Sequence, residues 1–171
     1  RSAPLDTGMT LLTHLGDGGC VWVVLALVLL AFPKSRKTGV AVLLGVALAA
    51  VACNGIFKPL VARPRPCDLV SATPLLIPRP AGFSFPSGHA GASFAAAGAL
   101  WFCKSRLRVP AMVLAAGIAF SRLYLYVHFP SDVCAGAVLG LMMGWLGYFL
   151  AGKTQPYWNR NRRRRAAGKE L

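Results

Sequence analysis

The sequence predicts an all-α protein, a polytopic bundle of about five transmembrane helices preceded by an amphipathic helix, and three observations lead to this class. Hydrophobic residues make up 56% of the 171 residues and charged residues only 14%, whereas soluble proteins carry about 25% charged residues. The apolar residues form long runs separated by short basic loops, which is the pattern of membrane-spanning helices. The net charge of +14 comes from basic residues at the ends of these runs and in the C-terminal tail, so it indicates membrane topology rather than nucleic-acid binding.

The chain begins with a mixed segment, residues 1–16, in which apolar residues recur at helical spacing. These residues are Leu5, Met9, Leu12 and Leu15. The pattern is typical of a helix lying on the membrane surface, and it fits equally a helix packed against a protein core. The glycine-rich segment 16–19 ends this helix, and the first apolar run follows at 20–32. Since a span needs about 20 residues, this first run is short for a complete crossing.

Four further apolar runs predict four more spans. They cover residues 39–57, 88–103, 109–127 and 132–151. Segment 58–86 is rich in Pro and Arg and has no sustained periodicity, which predicts an ordered loop. The last span carries a glycine at every fourth position, at Gly136, Gly140 and Gly144, and this spacing lets two helices approach closely. We expect one membrane domain, residues 1–152, followed by a basic cytoplasmic tail without regular structure, residues 153–171.

The distribution of basic residues predicts the orientation in the membrane. Five spans place the loop 58–86 and the break 128–131 on one face, and the basic loops 33–38 and 104–108 with the tail on the other. The second face then carries 13 of the 19 basic residues. Because basic loops stay in the cytoplasm, the first face should point outward, to the periplasmic or extracellular side.

The outward face collects polar residues at the ends of spans. They are Lys58, Arg65, Ser87, His89, Arg122, His128 and Asp132. A single cation at such a position is more often a snorkelling anchor. Three cations from separate helix ends on one face indicate a shared site, since ionisable groups at membrane depth are costly and usually functional.

Two short segments on this face suggest phosphate chemistry. In the segment 86–89, Ser87 can cap the following helix, whose exposed amides can bind an anion, while Gly88 leaves the backbone accessible; an ordinary helix cap is the alternative. Further along, Asp132 follows His128, and a histidine is a good nucleophile toward phosphorus when a carboxylate fixes its tautomer. His14 has no such neighbours in the sequence, so we interpret it as interfacial or structural.

These residues form three ordered motifs, in which the chain resembles the type-2 phosphatidic acid phosphatases, or lipid phosphate phosphatases, of the bacterial membrane branch. Lys58 and Arg65-Pro66 match Lys, six residues, Arg-Pro; residues 86–89 match Pro-Ser-Gly-His. The third motif, Ser-Arg, five residues, His, three residues, Asp, is matched by Ser121, Arg122, His128 and Asp132. The resemblance covers about residues 19–151. Members of the family commonly have six spans, so either the amphipathic start replaces the first span or a preceding segment supplies it.

The resemblance implies a role for each site residue. His128 attacks phosphorus and becomes phosphohistidine, Asp132 orients His128, and His89 protonates the leaving oxygen and later activates water. The phosphate oxygens are held by Lys58, Arg65, Ser87, Gly88 and Arg122. No metal ion or other cofactor is expected, because the cations supply the charge and the chain has only five acidic residues.

The expected function is metal-independent hydrolysis of a lipid phosphate or diphosphate in the bilayer, most specifically of undecaprenyl diphosphate to undecaprenyl phosphate. Phosphatidylglycerol phosphate, phosphatidic acid and diacylglycerol diphosphate are alternative substrates. There are two rival classes. One is a phosphotransferase of the same family. The other is a non-catalytic membrane scaffold or transporter, which would not require the histidine–aspartate set. No nucleic-acid partner and no obligate protein partner are expected. The five cysteines form no Cys-x-x-Cys pair, which argues against a zinc site or a disulfide framework.

Overall fold

The structure, a computed structural model, describes residues 2–70 and 74–167, with side chains described as far as Lys153. Every regular element in these residues is helical. The helices are α1 (Ala3–Leu15), α2 (Cys20–Ala31), α3 (Arg36–Ala50), α4 (Lys58–Val61), α5 (Pro66–Leu69), α6 (Gly88–Phe102), α7 (Arg108–Tyr124) and α8 (Pro130–Ala167). A 3₁₀ turn, Asp17–Gly19, joins α1 to α2, and a π-helical segment, Val51–Phe57, joins α3 to α4.

Two helical stretches of the described residues are long and apolar enough to cross a membrane. They are Arg36–Leu69 and Pro130–Lys153, and they contain the predicted spans 39–57 and 132–151. Helices α1 and α2 meet the same criterion together, as one span bent by 48°. Helices α6 and α7, with 15 and 17 residues, are shorter than the roughly 20 residues of a typical span. Length and composition therefore give two spans, or three with the bent pair, and the five-span topology stays a prediction.

The helices pack around α6, which lies against α3, α7 and α8. The predicted glycine stripe of α8 faces the backbone of α6. A Cβ atom added to Gly140 would lie 2.4 Å from the carbonyl oxygen of Gly91, and one added to Gly144 would lie 2.4 Å from that of Ala95. No side chain fits at these separations, so the predicted close approach of two helices is confirmed, and it fixes the N-terminus of α6 beside that of α8.

Helix α1 packs on one side against α7. The hydroxyl of Tyr124 donates a 2.5 Å hydrogen bond to Oδ1 of Asp6, and the guanidinium of Arg122 donates one to the hydroxyl of Thr13. Leu11 on the opposite side is 62% exposed. The N-terminal helix is thus an amphipathic helix whose polar contacts hold it to the bundle.

Two helices extend beyond their predicted ends. The helical backbone that follows α3 was expected to stop at residue 57, but it continues through the π-helical segment to Val61. The expectation of an irregular tail is wrong for residues 154–167, which form the last part of α8, because arginine and alanine are strong helix formers. Residues 168–171 lie outside the described residues. The loop 58–86 is irregular apart from α4 and α5 across its described part.

Candidate active site

A cavity of about 290 Å³ opens where the end of the π-helical segment, the N-terminus of α6 and the C-terminus of α7 meet. Six of the eight residues expected at the site from the sequence line it: Lys58, Arg65, Gly88, His89, Arg122 and His128. The other two, Ser87 and Asp132, lie fully buried behind its wall. The structure thus gathers residues that are up to 74 positions apart in the sequence, because the helix ends and loops that carry them lie at the same end of the bundle.

His128 is held between a carboxylate and a guanidinium. Its Nδ1 lies 3.5 Å from Oδ2 of Asp132, and its Nε2 lies 3.3 Å from Nη1 of Arg65. An arginine can only donate hydrogen bonds, so Nε2 accepts and its lone pair points toward the arginine side. The Nδ1 atom then carries the proton. This is the tautomer that a histidine nucleophile needs.

The hydroxyl of Ser84 bridges the histidine and the carboxylate. Its Oγ lies 2.5 Å from Oδ2 of Asp132 and 3.3 Å from Nδ1 of His128. The other oxygen of Asp132 accepts a 2.8 Å hydrogen bond from Nη1 of Arg63, and the amide of Phe129 donates to Oδ2. The sequence reasoning assigned no role to Ser84 or Arg63. The one available signal was their position in the Arg- and Pro-rich loop 58–86: Arg63 is one of the six unspecified residues of the first motif, and Ser84 lies between the first two motifs.

Burial and charge keep His128 neutral. The side chain lies between α7 and α8 and is almost fully buried. Burial lowers the pKa of His128 to about 4, the guanidiniums of Arg65 and Arg122 act in the same direction, and the hydrogen bond with Asp132 acts against them. A histidine with this pKa is unprotonated at neutral pH, so the Nε2 lone pair is available.

Three cations border the cavity, and two of them are almost fully buried. Arg65 and Arg122 are each 3% exposed. Arg65 is fixed by the backbone carbonyls of Ala81, Gly82 and Val127, at 3.0–3.2 Å. Among the described residues, the Nε of Arg122 is the buried side-chain nitrogen without a hydrogen-bond partner. A buried donor left unpaired costs about 1–3 kcal/mol, so an oxyanion in the cavity would satisfy this group.

The N-terminus of α6 faces the cavity through Gly88. Ser87 accepts a 3.4 Å hydrogen bond from the amide of Ala90, which is the helix-cap alternative raised by the sequence. A Cβ atom on Gly88 would lie 2.8 Å from Oδ1 of Asn54, so glycine allows Asn54 of the π-helical segment to approach. Asn54 lines the cavity and was not identified from the sequence. In this structure Ser87 caps the helix, while its predicted phosphate contact stays a prediction.

His89 meets a carboxylate that the sequence reasoning also missed. Its Nε2 lies 2.9 Å from Oδ1 of Asp17, in the turn between α1 and α2. The other oxygen of Asp17 lies 2.8 Å from Nδ1 of His14. His14, interpreted as interfacial or structural, therefore contacts the turn that borders the cavity.

Taken together, the cavity combines a histidine lone pair, three cations and a helix N-terminus, and these groups suit an attack on a bound phosphoryl group. Within residues 2–70 and 74–153, whose side chains the structure describes, no group of three or more His, Cys, Asp or Glu side chains is placed to hold a metal ion. The five cysteines are free. Lys58, Arg65 and Arg122 place positive charge beside a phosphate bound in the cavity.

Comparison with known proteins supports the resemblance drawn from the three motifs. The sequence model of the PAP2 superfamily matches residues 38–156. The chain belongs to the PAP2 superfamily. The type-2 phosphatidic acid phosphatases to which the motifs pointed are this family, so that expectation is confirmed.

Two curated relatives and one solved structure illustrate the range of the family. The chain is 33% identical over 127 residues to an undecaprenyl-diphosphatase of Sulfolobus acidocaldarius, covering 74% of this chain and 61% of the relative. It is 39% identical over 121 residues to a lipid A 4'-phosphatase of Bacteroides thetaiotaomicron, covering 67% of this chain and 54% of the relative. The chain thus spans somewhat more than half the length of each.

The solved structure is that of a transmembrane PAP2-type phosphatidylglycerolphosphate phosphatase from Bacillus subtilis. It superposes with a TM-score of 0.71 and 28% identity, covering 90% of this chain and 79% of that one. The helical architecture is therefore that of a membrane-embedded PAP2 protein. The three proteins differ in the lipid that their names give, so membership of the family does not select one substrate.

Proposed function

We propose that this PAP2 protein is a membrane lipid phosphatase that works through a phosphohistidine on His128. The observation that carries the proposal is the Nε2 atom of His128, which accepts from Arg65 beside the cavity while Asp132 and Ser84 hold the opposite nitrogen. This arrangement presents a lone pair, fixed in direction, to an anion that the surrounding cations would attract.

The reaction would proceed in two displacements. Nε2 of His128 attacks phosphorus as the bond to the leaving oxygen breaks, and His89 gives that oxygen a proton. Water then attacks the phosphohistidine, passes its proton to His89 and releases phosphate. Lys58, Arg65 and Arg122 neutralise the charge that spreads over the phosphoryl oxygens in both transition states.

A five-span topology with the site facing outward, in a domain of residues 1–152, belongs to the same proposal. Cations lie over aromatic rings at the helix ends remote from the cavity: Lys37 over Tyr148, Arg108 over Trp101 and Lys153 over Phe149. Aromatic residues mark both membrane interfaces, and at the cavity end Arg63 likewise lies over Phe129; the excess of basic residues is what is typical of the cytoplasmic side. This excess supports an outward-facing cavity in a bacterial inner membrane, with the tail 153–171 in the cytoplasm.

Cysteine labelling in intact cells tests this orientation. In a cysteine-free background, Leu76→Cys near the cavity should react with a membrane-impermeant maleimide, whereas Lys104→Cys at the opposite end should react only after permeabilisation. Both native side chains are exposed, so accessibility is matched. The reverse pattern would reject the outward orientation and leave the chemistry untouched.

For the substrate we propose undecaprenyl diphosphate. The undecaprenyl-diphosphatase relative supports this choice, and so does the form of the cavity, in which small apolar residues such as Val46, Ala50 and Ala92 adjoin the cations. Such a site suits a phosphate attached to a long apolar chain. A lipid A phosphate and phosphatidylglycerol phosphate are the competing candidates, because proteins with those names are also similar.

Phosphate release from purified protein tests the substrate. The values of kcat/KM for the three lipids should be measured in one detergent, with His128→Ala as the blank. We expect undecaprenyl diphosphate to have the highest value. A tenfold preference for another lipid, which corresponds to about 1.4 kcal/mol of transition-state free energy, would reject the carrier-lipid assignment and keep the phosphatase.

A further inference from the structure

The turn that precedes α2 supplies His89 with a carboxylate. Oδ1 of Asp17 lies 2.9 Å from Nε2 of His89, and Oδ2 lies 2.8 Å from Nδ1 of His14. The side chain of His89 is 20% exposed and that of Asp17 is 54% exposed. None of the three motifs contains Asp17, and it also precedes the family match, which begins at residue 38.

The backbone around Asp17 is shaped to let this contact form. A Cβ atom on Gly16 would lie 2.8 Å from Cδ2 of His89 and 2.7 Å from Cγ2 of Ile118, so only glycine lets the turn rest on the imidazole ring. Gly18 and Gly19 have φ values of +59° and +70°, in the left-handed region that favours glycine. Three glycines thus surround the one carboxylate of the turn and bring it onto the ring.

The charges around His89 give this carboxylate a role. Two cations that line the same cavity, Lys58 and Arg122, disfavour a protonated imidazole. Asp17 is the acidic group hydrogen-bonded to the ring, and an anion in hydrogen-bond contact favours the imidazolium form. The other carboxylate of the site, Asp132, is buried and is engaged with His128.

We propose that Asp17 is a positioning residue for His89, which it orients and supports as the proton donor to the leaving group. The inference rests on the acid role proposed above for His89. Oδ1 of Asp17 accepts a hydrogen bond from the Nε2–H group of His89. The proton that His89 transfers is therefore the one on Nδ1. Within the described part of the chain, no hydrogen bond to Nδ1 of His89 is formed, and this nitrogen is free to meet the leaving oxygen.

The proton transfers balance in both displacements. In the first, the proton on Nδ1 of His89 moves to the leaving oxygen while the P–O bond breaks and the bond from His128 Nε2 to phosphorus forms. In the second, water attacks phosphorus, its proton returns to Nδ1 of His89, and the P–N bond breaks. In both steps Nε2 of His89 keeps its own proton, which remains hydrogen-bonded to Oδ1 of Asp17. Two histidine–carboxylate pairs then divide the work, with Asp132 serving the nucleophile and Asp17 serving the acid.

A leaving-group comparison tests the proposal, because a proton donor matters only when the leaving oxygen needs a proton. The full chain in detergent should be assayed with two substrates. Phenyl phosphate has a poor leaving group that benefits from a proton, whereas p-nitrophenyl phosphate has a good leaving group that departs as a stable anion. The variants are Asp17→Asn, Asp17→Glu, His89→Ala and the double variant Asp17→Asn/His89→Ala. Asp6→Asn is the matched control, since Asp6 lies on α1 and contacts Tyr124 instead of the site.

We expect Asp17→Asn to lower kcat on phenyl phosphate by about 10- to 100-fold, within the range of general acid catalysis, and to change it less than about threefold on p-nitrophenyl phosphate. Asp17→Glu should recover part of the loss, Asp6→Asn should match the wild type on both substrates, and the double variant should lose no more than His89→Ala, because the two residues act as one unit.

Equal losses on both substrates would reduce Asp17 to a structural residue, and unchanged or increased activity would also overturn the proposal. His89→Ala separates the two hypotheses. If His89→Ala shows no dependence on the leaving group, the acid role of His89 fails as well. If His89→Ala shows the dependence and Asp17→Asn does not, only the inference about Asp17 fails.

Discussion

The hydroxyl of Ser84 donates a 2.5 Å hydrogen bond to Oδ2 of Asp132, and both side chains are fully buried. This bond ties the loop that precedes α6 to the first turn of α8. It also holds the carboxylate at the distance from His128 at which it can fix the imidazole tautomer. The orientation of the nucleophile therefore depends on a residue outside the three motifs.

Replacing this hydroxyl should slow the reaction without unfolding the protein. We expect Ser84→Ala to lower kcat about tenfold and leave KM nearly unchanged, since a net hydrogen bond to a charged group contributes about 1.5–3 kcal/mol and Asp132 keeps its bonds to Arg63 and Phe129. The control is Ser131→Ala, because Ser131 is exposed and its hydroxyl accepts from Arg63. A loss confined to KM would contradict an orienting role.

The low pKa of His128 predicts an unusual acid limit. Because burial lowers this pKa to about 4, the lone pair is lost only when the pH falls through that value. After correction for the ionisation of the substrate phosphate and of His89, the proton donor, the loss of kcat/KM that comes from protonation of the nucleophile should begin only below about pH 5, since this ratio reports the free enzyme. An acid limb near pH 6.5, the ordinary value for histidine, would show that the nucleophile is not buried as described.

Chelation of divalent metal ions should leave activity intact. The phosphate charge is met by Lys58, Arg65 and Arg122, all of which line the cavity. We expect phosphate release in excess EDTA to equal that in magnesium, within about twofold. Loss of activity in EDTA with recovery in magnesium would contradict the proposed mechanism.

The packing of α8 on α6 predicts a sharp effect of one methyl group. Gly140→Ala would place a Cβ atom 2.4 Å from the carbonyl oxygen of Gly91, and overpacking of this kind destabilises proteins by about 1–3 kcal/mol. Thermal unfolding in detergent should therefore occur at a lower temperature. The control is Gly8→Ala on α1, where no atom lies within 4 Å and alanine favours the helix. Equal midpoints would mean that the two helices are further apart.

The sequence alone predicted which residues form the site, because the motif residues lie where apolar runs end and polar residues follow. Arg65, His89 and His128 meet for that reason. Residues such as Ser84 and Asp17 could not be found in the same way. Each lies in an irregular segment, and its function depends on a partner more than 40 residues away, which no local spacing encodes.

Helix lengths were less predictable than helix positions. The hydropathy pattern located α3, α6, α7 and α8, and the glycine stripe of α8 correctly indicated a close helix contact. The π-helical segment Val51–Phe57, which carries Asn54 to the cavity, has no sequence signature of its own. The polar part of α8 is helical because of intrinsic propensity, which hydropathy does not detect.

The most direct test of the account is to trap phosphate on the protein. After rapid quenching with labelled substrate, the wild type should carry a phosphoryl group that is stable in alkali and labile in acid, and tryptic mapping should assign it to His128. His128→Ala should carry none and should have no turnover above the blank. A covalent phosphate on another residue, or near-normal turnover by His128→Ala, would contradict the central claim that His128 is the nucleophile.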